Sequence, residues 1–220
     1  EQKPPVAVDD AFGARPGKAT LLPVLLNDYD PNADVLVITA FDTIDESIGR
    51  LDLVTRNQQL QLTLAPTASG IITFGYTITD GRGGSASATV HVTVRTPDEN
   101  SPPEQVRVTK GLVQAGGRIT SQVLGDWYDP DGDPFYLAAA SVAAPDSVTF
   151  TPQGTVVYSD KGKGGTLKNV NLVVSDSRDD GTGVFAATVR PAGSVPIIAE
   201  PFAVPVISGQ EKTISPLSHV

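Results

Sequence analysis

The chain has 220 residues, with 16 Lys and Arg against 25 Asp and Glu, a formal net charge of −9 and a pI near 4.6. That length fits one large domain or two small ones, and the acidic balance argues against a nucleic-acid partner. Zero Cys excludes disulfides, cysteine-ligated zinc and a cysteine nucleophile, and two His leave little material for a His-based metal site.

The acidic residues are 19 Asp and only 6 Glu, beside 26 Val and 21 Thr. Asp favours turns, caps and hard-cation sites, whereas Val and Thr suit a pleated surface. Gly 21 and Pro 18 supply turns, so the composition is that of short strands joined by many loops. No apolar run nears the roughly 20 residues that cross a bilayer. The chain begins at Glu1 without Met, which fits a mature protein or an excerpt of a longer one.

In chain order, the first expected strand is Val35–Phe41, after an acidic stretch. Leu60, Leu62 and Leu64 then alternate with polar residues, as do Ile72, Phe74, Tyr76 and Ile78, and Ala86, Ala88, Val90, Val92 and Val94. A period of two puts each set on one face of a strand, against a second sheet. Asp80-Gly81-Arg82-Gly83-Gly84 reads as the hairpin between the last two, with glycines for positive φ. The polar segment Thr96–Pro103 holds three of its residues as Pro and ends the first sandwich.

The pattern then repeats. Tyr29-Asp30-Pro31 recurs as Tyr128-Asp129-Pro130, an offset of 99 residues. The same offset aligns Gly17 with Gly116, Val24-Leu25 with Val123-Leu124, and Asn27 with Asp126. In the second copy the expected strands carry Val148/Phe150, Val156/Tyr158, Val170/Leu172/Val174 and Phe185/Ala187/Val189. Lys161–Gly165 and Asp179–Gly183 are expected turns. Leu137–Ala144 is Ala-rich enough for a short helix, but its alignment with Val35–Phe41 argues for a strand. Arg190–Ser194 closes the second copy. The stretch 208–217 resembles 17–25, so 194–220 reads as the start of a third repeat or a tail.

Seven or so strands per ninety-odd residues is the count of an Ig-like sandwich. The expected fold is therefore all-β: tandem Ig-like antiparallel β-sandwiches over 1–97 and 101–193.

The chain resembles the tandem bacterial Ig-like, cadherin-like repeats of large surface proteins. The likeness rests on Pro4-Pro5-Val6-Ala7-Val8-Asp9-Asp10, on Leu25-Leu26-Asn27-Asp28-Tyr29-Asp30-Pro31-Asn32-Ala33-Asp34, and on Phe74–Gly81. The second copy keeps Asp129-Pro130-Asp131-Gly132-Asp133 but loses the Asp-Asp pair and the Asp-Gly turn. The resemblance implies an extracellular or cell-surface setting at a bacterium, in a spacing or adhesive role. The implied partners are neighbouring repeats of the same chain, with a surface protein or a carbohydrate as further candidates.

Two loops are candidate calcium sites: Asp28, Asp30, Asn32 and Asp34 in the first copy, and Asp126, Asp129, Asp131 and Asp133 in the second. Ca²⁺ takes six to eight oxygens from such residues, and crowded carboxylates repel one another without a cation. The alternative is that these aspartates close turns by accepting nearby backbone N–H groups. The EF-hand template does not fit, because Ala33 and Thr39 stand where Gly and Glu would be needed. The linker residues Asp98-Glu99-Asn100 only faintly resemble the calcium linker of cadherins. No cofactor is required by any of this. Trp127, Tyr128, Phe135 and Tyr136 bracket the second loop and either stack on a sugar ring or plug the end of the sandwich.

Catalysis is not expected. There is no Gly-x-Ser-x-Gly elbow, His91 should face outward from its strand, and Gly162–Thr166 lacks the spacing of a phosphate loop. The functional expectation is a non-catalytic structural or adhesive segment. Its alternatives are a calcium-dependent carbohydrate-binding module and an accessory domain of a secreted enzyme.

Overall fold

The computed structural model describes residues 2–162, 167–194, 204, 208, 209, 211 and 213. The chain divides between Glu99 and Asn100 into two compact units. The expected third repeat over 194–220 lies almost wholly outside the described residues.

The first unit contains β1 (Asp10–Ala14), β2 (Ala19–Leu22), β3 (Val37–Phe41), β4 (Gly49–Val54), β5 (Gln59–Leu64), β6 (Ile71–Thr79) and β7 (Ser85–Val94). They form two facing sheets, ordered β1-β7-β6-β3 and β2-β5-β4. The alternation read from the sequence is what closes them. Leu60, Leu62 and Leu64 of one sheet and Ile72, Phe74, Tyr76 and Ile78 of the other are all buried in one core. Each such side chain contributes about 1.5–3 kcal/mol by leaving water.

The second unit contains β8 (Glu104–Gln105), β9 (Thr109–Gln114), β10 (Arg118–Gln122), β11 (Trp127–Tyr128), β12 (Tyr136–Ser141), β13 (Ser147–Phe150), β14 (Thr155–Ser159), β15 (Leu167–Ser175) and β16 (Asp180–Arg190). Its main sheets run β12-β15-β16-β9 and β10-β14-β13. Apart from the short β8 and β11, this is the strand order of the first unit. The Ala-rich stretch is strand β12, and both β3 and β12 carry a bulge against their partners.

Three expectations are corrected. The sheets are not purely antiparallel: β1 runs parallel to β7, and β9 parallel to β16. The opening strand is no hairpin partner of the closing one, so nothing forces the antiparallel sense. Second, Asp179–Gly183 is not a turn. The chain turns at Asp176–Asp179, and β16 begins at Asp180. Gly181 and Gly183 are there for close approach. A Cβ on Gly181 would drive into the Pro103 carbonyl, and one on Gly183 would sit 2.5 Å from the Trp127 ring. Third, Phe150 does not share a buried face with Val148; it lies on edge strand β13 and is 38% exposed.

Candidate functional site

Each acidic loop is built around one aspartate. Asp30 Oδ1 accepts the N–H groups of Asn32 (2.7 Å) and Asp34 (3.1 Å). Asp129 Oδ1 accepts those of Asp131 (2.9 Å) and Asp133 (2.9 Å). Asp-Pro followed by alternating polar residues gives this turn because a short carboxylate reaches its own backbone two and four residues on. Ala33 adopts φ 61°, and its counterpart Gly132 φ 77°. Alanine therefore holds a left-handed conformation that glycine takes without strain.

A second aspartate closes the neighbouring turn. Asp80 Oδ1 accepts from Arg82 N and Gly84 N at 2.7 and 2.9 Å. Asp176 Oδ1 accepts from Arg178 N and Asp179 N, both at 2.7 Å. The entering chain ties the two turns together. In the first repeat Gln2 donates to Asp34 Oδ2 at 2.7 Å, Lys3 N to Asn32 Oδ1 at 2.9 Å, and Arg82 pairs with Asp34 at 2.7 Å. Gln2 and Arg82 hold the Asp34 carboxyl below its usual range. In the second repeat Asn100 donates to Asp176 (2.9 Å) and Asp179 (2.7 Å), and Ser101 N donates to Asp131. Burial pushes the Asp129 carboxyl up, against the Asp133 and Asp131 N–H groups, and the charges of Asp133 and Asp176 add to it.

The structure splits both candidate calcium sets. Asp28 does not join Asp30, Asn32 and Asp34: it accepts Val8 N at 2.8 Å and the Tyr76 hydroxyl at 2.9 Å. Asp126 turns from Asp129, Asp131 and Asp133 to Arg107 at 2.7 Å and the Thr109 hydroxyl at 2.6 Å. Among the described residues, no three His, Cys, Asp or Glu side chains are grouped so as to hold a metal ion. Asp30 and Asp129 each close a turn through Oδ1, while their Oδ2 atoms are buried without a hydrogen-bond partner. Asp129→Ala should lower the stability of the second repeat by about 1–2 kcal/mol, because two N–H groups lose their acceptor. Urea unfolding followed by the fluorescence of Trp127, the chain's single Trp, measures this directly.

The aromatics do not form a stacking platform. Trp127 is buried in the second core, with Phe135 packed against that core, while Tyr136 is 40% exposed. An open depression of about 400 Å³ on the outer face of β3, β6 and β7 includes Asp9 and Asp42. Both carboxylates there accept backbone N–H groups, from Thr89 and Gly75, at 2.8 Å each. His91 faces outward and contacts Thr73 Oγ1 at 3.0 Å.

Sequence reading missed two buried clusters, Asp10–Asp28–Tyr76 and Asp146–Tyr158–Lys168. The Asp9-Asp10 pair was the visible signal for the first; nothing local marked the second.

Two facing sheets of this strand order, repeated within one chain, define a tandem Ig-like β-sandwich protein. Residues 2–93, the first repeat, match the model of the bacterial Ig domain family. Among solved structures, an endo-fucoidan hydrolase of glycoside hydrolase family 107 is 21% identical, with a TM-score of 0.35, over 86% of this chain and 29% of that one. The N-terminal Ig1-2 module of Drosophila receptor protein tyrosine phosphatase DLAR is 12% identical, with a TM-score of 0.30, over 86% of this chain and 100% of that one. The N-terminal four Ig domains of a Dscam1 isoform are 14% identical, with a TM-score of 0.39, over 86% of this chain and 52% of that one. The chain thus spans under a third of the length of the hydrolase it matches. A comparison with curated proteins found no match.

Proposed function

We propose that this chain is a non-catalytic, load-bearing spacer of an extracellular bacterial protein, secreted or on the cell surface. The observation that supports it most is the parallel pairing of first and last strands, β1 with β7 and β9 with β16. Parallel neighbours at the two ends of a repeat mean that the chain enters at one pole and leaves at the other. Each repeat therefore adds its length to an array. Tension on the two ends also loads the ladder hydrogen bonds in shear, all together rather than one by one.

The exit segment of the first repeat is fastened to match. Arg15 is buried and donates to the carbonyls of Thr96 and Glu99, the latter at 2.7 Å, and so ties the exit of the first repeat to β1's end. Among the described residues no helix is long and apolar enough to cross a membrane. A carbohydrate-binding role is disfavoured by the burial of Trp127. The accessory-domain reading is the same mechanical role inside a larger secreted enzyme.

Single-molecule pulling on the chain should give two separate unfolding events. Each should release about 90 residues, or roughly 300 Å of extended chain. Phe12→Pro removes a donor from the β1 ladder and should lower the force of one event only. Smooth extension without force peaks would rule out the spacer role.

A further inference from the structure

The two repeats differ at one buried point. In the first, Asp10 and Asp28 are 7% and 8% exposed and both neighbour the Tyr76 hydroxyl, itself within a side chain 2% exposed. That hydroxyl has one hydrogen. It stands 2.9 Å from Asp28 Oδ2, 3.2 Å from the Val24 carbonyl and 3.3 Å from the Val8 carbonyl. At most one of these three acceptors receives its proton. Asp10 Oδ2 and Asn27 Oδ1 are buried with no hydrogen-bond partner. None of the ion pairs among the described residues involves Asp10 or Asp28. Besides the Tyr76 hydroxyl, the donors here are Val8 N, 2.8 Å from Asp28 Oδ1, and Asn27 Nδ2, 3.4 Å from the Val8 carbonyl and 3.3 Å from that of Asp9; none carries a positive charge, and the place holds two acidic groups.

The second repeat shows what balances such a place. Asp10 pairs across β7 with Val90, and its counterpart Thr109 pairs across β16 with Phe185. At the 99-residue offset, Val8, Asn27 and Asp28 become Arg107, Asp126 and Trp127, and in the equivalent ladder Tyr76 gives way to Leu172. One carboxylate remains, and Arg107 supplies its positive charge at 2.7 Å. In the second repeat the cation is part of the chain; in the first, among the described residues, no ion pair balances the two carboxylates.

We propose that the first repeat binds a calcium ion where β1 meets the loop after β2, using the carboxylates of Asp10 and Asp28, the amide oxygen of Asn27 and the backbone carbonyls of Val8 and Val24. Ca²⁺ is favoured because every ligand is oxygen, two are carboxylates that match its charge, and backbone and amide carbonyls complete the set. Two carboxylates place the site outside the groups of three acidic side chains that the described residues lack. Without the ion, burial, together with the charge of Asp28, pushes the Asp10 carboxyl up to about 7, against the hydrogen-bonding pull of Tyr76 and Asn27. A proton is then the competing occupant.

The test is scanning calorimetry of the full chain at pH 8, in EDTA and in millimolar Ca²⁺, with Trp127 fluorescence assigning the second repeat's transition. Calcium should raise the other transition by about 5–10 °C and leave the Trp127-reported one in place. Asp10→Asn should abolish that shift while raising the melting temperature in EDTA, since it removes one of two buried like charges. A merely structural Asp10 gives no such crossover. Terbium luminescence sensitised by tyrosine should likewise fall in Tyr76→Phe, which keeps the packing. The proposal is overturned by an unchanged transition in Ca²⁺, by an equal shift with Mg²⁺, or by a shift that survives Asp10→Asn but is lost in Asp34→Asn. Stabilisation by acid alone, with no calcium effect, would identify the occupant as a proton and overturn it too.

Discussion

Gly181→Ala should destabilise the second repeat by about 3 kcal/mol or more, the upper end of what overpacking costs. The new methyl group would meet the backbone carbonyl of Pro103, with the Trp127 ring 3.2 Å away. A flexible side chain could swing aside; a proline carbonyl cannot. The segment Pro103–Gln105 is held there on three counts. β8 pairs with β11, Gln105 exchanges two hydrogen bonds of 2.9 Å with the backbone of Val184, and Trp127 covers it. The methyl group therefore either expels this segment or opens β16. Urea unfolding followed by Trp127 fluorescence should show an earlier midpoint and a red-shifted native spectrum. An unchanged midpoint would mean that the entry segment is not seated on β16.

Lys168→Met should cost about 2 kcal/mol at pH 7. Lys168 Nζ lies 3.2 Å from Asp146 Oδ2, with the two side chains 21% and 1% exposed. Removing one partner of a buried pair leaves the other charge without its counter-ion, which costs up to 3–5 kcal/mol when both are fully buried. Here Asp146 keeps the Tyr158 hydroxyl at 2.8 Å and Lys161 N at 3.0 Å, which reduces the loss. Burial pushes the Asp146 carboxyl up, but Lys161 N–H, the Tyr158 hydroxyl and Lys168 together hold it below the usual carboxylate range. A depressed acid stabilises the fold above its unfolded pKa and loses that contribution as pH falls through its folded value. The gap between wild type and Lys168→Met should thus be full at pH 7 and close under acid. Urea titrations at both pH values measure it; a gap that persists in acid would show that the ammonium matters through packing rather than charge.

Some of this was legible in the residues because it is local. The alternation in β5, β6 and β7 needed only a period of two. Asp30 and Asp129 close turns within four residues of themselves, so turn chemistry could be named beside calcium as an alternative. Other features misled for a physical reason. Glycine supplies positive φ in a turn and a bare backbone at a close approach, and sequence alone does not separate the two. Asp179–Gly183 therefore read as a turn, although Gly181 and Gly183 make room for Pro103 and Trp127. Likewise Asp28 and Asp126 belong by spacing to the acidic loops but face partners 17–48 residues away.

The sequence by itself determined the class of fold, the duplication and the turn chemistry of each acidic loop. Strand period, proline and aspartate act within a few residues, and they act the same way in both copies. Only the tertiary structure decided which aspartates are buried together and which cation balances them. Asp10 and Tyr76, Arg107 and Asp126, and Asp146 and Lys168 meet only after the sheets have closed. Both copies share one strand order, yet the second carries its positive charge in Arg107, and the first buries two carboxylates beside the Tyr76 hydroxyl with no ion pair among the described residues.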